Sequence, residues 1–303
     1  MTRRSYTLEI ITPCFCAGGD QGIAEIRPAS IRGQLRWWFR VLGGTAETER
    51  EVFGGIAGSA SASRVTIRVS SQRLLHNWHL PTVSPNDPAS YVWYFASVSG
   101  KETGAGARAT GPRWKSAGVL APKSTFKLEI LQRQILWPEN QTRFDLAIRC
   151  FLELGSMGLR ISRGLGAFVC HEHPFSDSIF TDLQNAGFRT ELRPESFRDL
   201  NDVVKTIGSL VKGTRKAKGW KVDSMSARPV STPSPFGTSD PRQTSAVYFR
   251  PIRKDPRTDS FQLVVFEAPQ QRVLAPQSRK PTAVGHNPSQ LVVPPPLQRQ
   301  NRR

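Results

Sequence analysis

Between Ser30 and Leu42 the sequence SIRGQLRWWFRVL gives a helix two sides that cannot share one environment. Advanced at about 100° per residue, Leu35, Trp38 and Leu42 fall within about 40° of Ile31, while Arg32, Arg36 and Arg40 lie between about 100° and 180° from it. A helix is predicted from about Ser30, which follows Pro28 and can act as its cap. The apolar side, widened by Phe39 and Val41, has to be covered by other parts of the chain, and Trp38 belongs to that core. Trp37, near about 240°, stands outside both groups. The arginines make a row of planar, permanently charged donors at roughly 6 Å steps, a spacing suited to phosphate oxygens. With no acid on that face to relieve their repulsion, an external anion is the natural partner; the alternative is a basic face held in water.

The charge of the whole chain favours a polyanion. Its 303 residues carry a formal charge of +18, which points to nucleic acid. Six of those charges sit in residues 268–303 without one acid among them, and twelve remain for the rest. No apolar run approaches the ~20 residues of a membrane-spanning helix. The start, MTRRSYTLEIITPC, lacks the continuous apolar stretch of a secretory signal, so the expected location is the cytoplasm. Cys14, Cys16, Cys150 and Cys170 do not have the paired spacing of a disulfide framework and are read as thiols.

Alternation marks strands at SYTLEIIT, SRVTIRVSS, SYVWYFASV and STFKLEILQRQ. Helical spacing returns from Arg143 to Gly158, leading into LRISRGLGAFVC, a glycine loop followed by a strand, and again at residues 199–212. TSAVYFRPIRK and SFQLVVFEA make a closing strand pair. The order strand, helix, strand, strand, helix, strand over residues 1–170 predicts an α+β, ferredoxin-like or RRM-like domain with insertions. A Gly-rich basic insertion occupies 98–118, a second, partial ferredoxin-like unit 171–267, and a disordered Pro-rich basic tail 268–303.

Several pieces fall together into one longer pattern. TPCFCAGGDQGIAEIRPASIRGQLRWWFR followed by ETEREVFGG resembles the N-terminal signature of the RAMP superfamily, in particular the first RAMP subunit of the Cmr module in type III-B CRISPR effector complexes. That signature has a strand ending in Thr-Pro, a glycine-bearing loop, an E-x-R element, an S-x-R-G-x-L-R-x-W helix and then F-G. Here these fall on Thr12 and Pro13, Gly18 and Gly19, Glu25 and Arg27, Ser30 to Trp38, and Phe53 and Gly54. LRISRGLGAF is similar to the family's glycine-rich loop, with Arg163, Gly164 and Gly166 in place, and PSPFGTSDPRQTSAVYFRP to a late element of it. The match is long over about the first 70 residues, whereas residues 175–230 match no known element.

The resemblance implies a RAMP fold and a non-catalytic backbone subunit at the end of a ribonucleoprotein filament; separately, the motifs present lead to no expected cofactor or metal. The subunit's partners would be guide CRISPR RNA, target RNA and other RAMP subunits, near the guide 3′ end, in antiviral defence. In such complexes base pairing reads sequence while protein holds backbone. Arg27, Arg32, Arg36, Arg40, Lys123, Arg160 and Arg163 are the expected phosphate contacts, and Gly164 and Gly166 would let the backbone approach a phosphate closely. A helix cap followed by a tight turn is the other reading of that loop. Trp37 and Trp114 are candidates for base stacking, Trp114 in an insertion that could equally be a disordered loop. The run KGTRKAKGWK would ordinarily be a solvated charge cluster.

His76, His79, His171 and His173 keep a second function open, a metal-independent CRISPR RNA-processing endoribonuclease of RAMP type, in which His would serve as general base and acid. None of them lies in the glycine loop or the arginine helix. CFC, HNWH and CHEHP do not have the spacing of a zinc finger.

Overall fold

The computed structural model describes residues 1–20, 22–56, 60–84, 86–93, 96, 118–219, 234–239, 242–255 and 258–274. The first four-stranded sheet contains β1 (Thr2–Ile10), β2 (Val65–Arg73), β3 (Thr125–Gln132) and β4 (Phe168–Cys170), in the order β2-β3-β1-β4 with every pair antiparallel. With α1 (Pro28–Val41) after β1 and α4 (Pro138–Leu154) after β3, this is the ferredoxin-like arrangement expected from the sequence. One face of the sheet, including Tyr6, Leu8, Ile10, Phe126, Leu128 and Ile130, packs under the helices. The opposite face is polar and holds ion pairs such as Arg3 to Glu129 and Arg253 to Glu9.

A second sheet contains β5 (Arg189–Phe197), β8 (Val247–Ile252) and β9 (Phe261–Glu267), ordered β5-β9-β8, and between β5 and β8 in the chain a short pair is formed by β6 (Thr238–Ser239) and β7 (Arg242–Gln243). Together with α6 (Leu200–Ala217), which follows β5, the second sheet has the strand order of the first three strands of the first unit, so the second ferredoxin-like unit is indeed partial. Both its faces are covered. Tyr248, Ile252, Val264 and Phe266 join the core of the first unit, while Val247, Phe249, Leu263 and Val265 face α6 residues Val203, Ile207 and Val211. That double burial accounts for the unbroken apolar run in SFQLVVFEA.

Helix α1 serves both units. Ile31 and Leu35 belong to the core cluster of the first sheet, and the Trp38 ring stacks on Phe188 and lies 5.5 Å from Phe266 of the second. Fully buried Arg250 ties the sheets together further, donating to the carbonyls of Phe168 in β4 and of Pro251. Burial pushes its guanidinium down to about 9.

Several expectations change. SYVWYFASV contains a short helix, α3 (Ser90–Trp93), because Val92 and Trp93 turn onto α6 and bury there. The N-cap of α1 is Arg27 in extended conformation, with Pro28 inside the first turn, so Ser30 is helical and no side chain caps the helix. The helix near Arg143 starts earlier, at Pro138, and α6 runs on to Ala217, into the basic run. Helices α2 (Ala46–Phe53) and α5 (Ile179–Asn185) and strand β5 were not anticipated. Within the span expected to be a tail, α7 (Gln270–Leu274) buries Val273, and Arg272 donates to the carbonyls of Val41 and Ala186. Trp114 and most of the 98–118 insertion lie outside the described residues, as do residues 275–303.

Candidate nucleic-acid interface

Pro28 in the first turn of α1 brings a fixed φ and no N–H to satisfy, a good start for a helix lacking a capping side chain. Once Ile31, Leu35, Trp38 and Phe39 are buried, Arg32, Arg36 and Arg40 must point the other way. The expectation that no acid meets them is overturned by α2. Thr45 and Thr48 form a reciprocal capping box at its start, which sets the first turn so that Glu49 faces α1.

Arg36 Nε donates to Glu49 Oε1 at 2.5 Å and Arg40 Nη1 lies 3.4 Å from both carboxylate oxygens. The Glu49 side chain is 6% exposed, the two arginine side chains 39% and 45%. One buried carboxylate thus orients two guanidinium groups, neutralises one of them and leaves their outer edges in solvent. Glu49→Gln should lower stability by about 1–2 kcal/mol, below the usual cost of stripping a partner from a fully buried pair because both arginines reach water; a urea midpoint unchanged from wild type would show that the clamp contributes nothing.

Arg32 donates to the backbone carbonyl of Phe53. Phe53 is buried against Phe39 and Phe144. Gly54 has φ of +71°, and a Cβ there would come 2.7 Å from the Ser61 carbonyl and the Ser63 amide. The F-G pair therefore has a physical reading: a core ring whose carbonyl holds an arginine, then a turn that a side chain would block.

A second lock joins the Thr-Pro element to the glycine loop. The buried Thr12 hydroxyl donates to the Gly164 carbonyl and accepts from the Ala167 amide, both at 2.9 Å. The Gly166 amide donates to the Pro13 carbonyl, and Met157 donates to that of Gly166. Gly166 has φ of +66°, and a Cβ would lie 1.7 Å from the Met157 oxygen; at Gly164 it would meet Ile207 at 2.6 Å. Internal packing fills the space the glycines leave, so their role as a phosphate cradle is replaced by loop closure. Arg163 needs the same correction. It is 3% exposed, and its guanidinium donates to the carbonyls of Ser162, Val247 and Phe236 and to the Ser245 hydroxyl. That holds the loop to β8.

The remaining expected contacts are scattered. Arg27 is exposed and lies 3.4 Å from Glu25. Lys123 is exposed in the turn ahead of β3, with φ of +70° and its amide bonded to the Ile10 carbonyl. Trp37 is not a free ring, since it packs 5.0 Å from both Trp38 and Tyr248 at the seam between the sheets. Arg160 lies with Arg163 and Arg215 around Tyr91. The sequence reading missed Tyr91, assigned to a strand, and Arg215, assigned to a solvated run. A signal for Arg215 existed: it follows Gly208 and Val211 at i+7 and i+4 and so extends the buried stripe of α6. His171 Nε2 lies 3.5 Å from Glu9, and His173 sits edge-on to Tyr6.

A family model described as "RAMPs: RAMP superfamily" matches residues 7–169, the span from β1 through the glycine loop into β4. The chain belongs to the RAMP superfamily. It is 38% identical over 72 residues to Cmr subunit Cmr1-2 of Pyrococcus furiosus, covering 21% of this chain and 37% of that protein. To Cmr1-1 of the same organism it is 26% identical over 200 residues, 62% of this chain and 52% of that protein. The chain thus spans about half or less of the length of these curated relatives. Its fold is similar to apo Cmr1 from Pyrococcus furiosus, with a TM-score of 0.52 at 19% identity over 88% of each chain. It is also similar to a chain of a Type III-B Cmr-beta complex bound to cognate target RNA and AMPPnP, with a TM-score of 0.50 at 13% identity over 87% of this chain and 93% of the other. Among the described residues of this RAMP protein, no helix is long and apolar enough to cross a membrane.

Proposed function

We propose that this RAMP protein is a non-catalytic backbone subunit of a type III CRISPR ribonucleoprotein, working in the cytoplasm beside other RAMP subunits and holding guide and target RNA near the guide 3′ end. The observation that carries this reading is the half-exposed pair Arg36 and Arg40, steered by one buried Glu49 and together still net positive. Such a row grips phosphates and carries no base readout. Family membership and the likeness to Cmr1 agree with it.

In fluorescence anisotropy with single-stranded RNA, affinity should fall steeply with salt. Replacing Arg36 and Arg40 by Ala together should weaken binding about 10-fold at low salt and flatten the salt slope by about 1–2, alike for unrelated sequences. An unchanged slope would remove α1 from the interface. The exposed His171 beside Glu9 favours one second reading, RNA cleavage. Labelled RNA left intact by the purified protein supports a binding role; defined products that vanish in His171→Ala would replace it with a nuclease.

A further inference from the structure

Away from α1, three arginines from different parts of the chain converge on one tyrosine. Arg160 and Arg163 come from the glycine loop, Arg215 from the last turn of α6, and Tyr91 from α3. Their guanidinium carbons lie 5.9, 5.8 and 5.9 Å from the Tyr91 ring centroid. Arg163 and Arg215 also stack over Phe236, at 5.5 and 5.9 Å. Tyr91, Arg160 and Arg215 are partly exposed, whereas Arg163 forms the buried floor.

Among the described residues no carboxylate pairs with Arg163 or Arg215; Arg163 is held by carbonyls and a hydroxyl, and Arg215 reaches only the Gly237 carbonyl, at 3.5 Å. Among the described residues the Nε–H groups of both are buried without an acceptor. A buried, unsatisfied charged donor is costly to a fold unless something occupies it. Burial pushes the Tyr91 phenol up, but the charges of Arg163 and Arg215, a hydrogen bond from Arg163 and the charge of Arg160 together outweigh it and bring the phenol down to about 8.

We propose that Tyr91, Arg160, Arg163 and Arg215 form a phosphate-binding site, in which Arg160, Arg215 and the Tyr91 hydroxyl donate to the phosphate oxygens while buried Arg163 supplies charge from beneath. Planar guanidinium donors and a phenol hydroxyl match a tetrahedral oxyanion, which presents acceptors on every side. The phosphate could be free or part of RNA. The second source rests on the RNA reading above and deepens it, adding a site built from both ferredoxin-like units.

Inorganic phosphate tests the site without RNA. At constant ionic strength, millimolar phosphate should raise the melting temperature of the full chain by a few degrees over chloride, as a ligand that binds only the native state does. Arg215→Gln should abolish that increment and Tyr91→Phe reduce it, while Arg36→Ala on α1 keeps it. Should Arg215→Gln fold poorly, Arg215→Lys keeps the charge but loses the fork and should lower the increment by about half or more. No phosphate-specific rise in the wild type, or the same rise in Arg215→Gln, overturns the site.

RNA oligonucleotides with and without a terminal phosphate then separate the sources, each outcome compatible with the site. Equal loss of affinity for both in Arg215→Gln identifies a backbone phosphodiester, and loss for the phosphorylated one alone a chain end. Unchanged RNA affinity identifies free phosphate and leaves the reading of α1 to its own test.

Discussion

Gly166→Ala should abolish folding at physiological temperature or cost about 4 kcal/mol or more, a loss confined to the small group of substitutions that force backbone apart. Two independent penalties coincide. The backbone has φ of +66°, which an L side chain rarely adopts, and the new methyl would stand 1.7 Å from the Met157 carbonyl oxygen. The loop cannot retreat, because Gly166 donates to Pro13, Met157 donates to Gly166, and Thr12 bonds both Gly164 and Ala167. The measurement is the chemical denaturation midpoint of whatever soluble protein is obtained. A variant that unfolds within about 1 kcal/mol of wild type would mean that the loop closes some other way, removing the packing explanation of the glycines.

Trp38→Ala is expected to cost about 3–5 kcal/mol, the range for emptying a large aromatic site in a core. The ring is 1% exposed and touches Trp37, Phe188 and Phe266, so its loss opens a void where α1 meets the second sheet. Trp38→Phe should recover more than half of that cost, because a smaller ring can keep the stack on Phe188. Urea unfolding followed by circular dichroism reads both. A Trp38→Ala penalty below about 1 kcal/mol would show that the two units are held by other contacts, with the buried Arg250 the next to test.

Residues whose partners are close in sequence or dictated by periodicity were legible beforehand. The apolar stripe of α1 showed itself through spacing alone, and so did the alternation of β1 and β3 and the β8–β9 pair. The arginine row was seen as well, but not its counter-charge: Glu49 lies nine residues beyond Arg40, on another helix, and only a tertiary turn brings it back. Arg163 was misplaced for a related reason. A lone arginine in a glycine loop reads as exposed until one knows that β8 and Phe236 close over it. Tyr91 was lost because SYVWYF has the composition of a strand, and only contact with α6 and the glycine loop makes Ser90–Trp93 a helix with the Tyr91 ring among cations.

Helix α1 is gripped on its inner side by aromatic and aliphatic groups from two different sheets, which leaves it no freedom to roll about its own axis. The compass bearing of Arg36 and Arg40 is consequently dictated by hydrocarbon they never touch. A conservative exchange at Leu35 or Phe39 that turned the helix by some tens of degrees would re-aim the positive row while changing no charge. In a protein of this build, tolerance to core variation is narrowed by what the surface must reach as well as by stability.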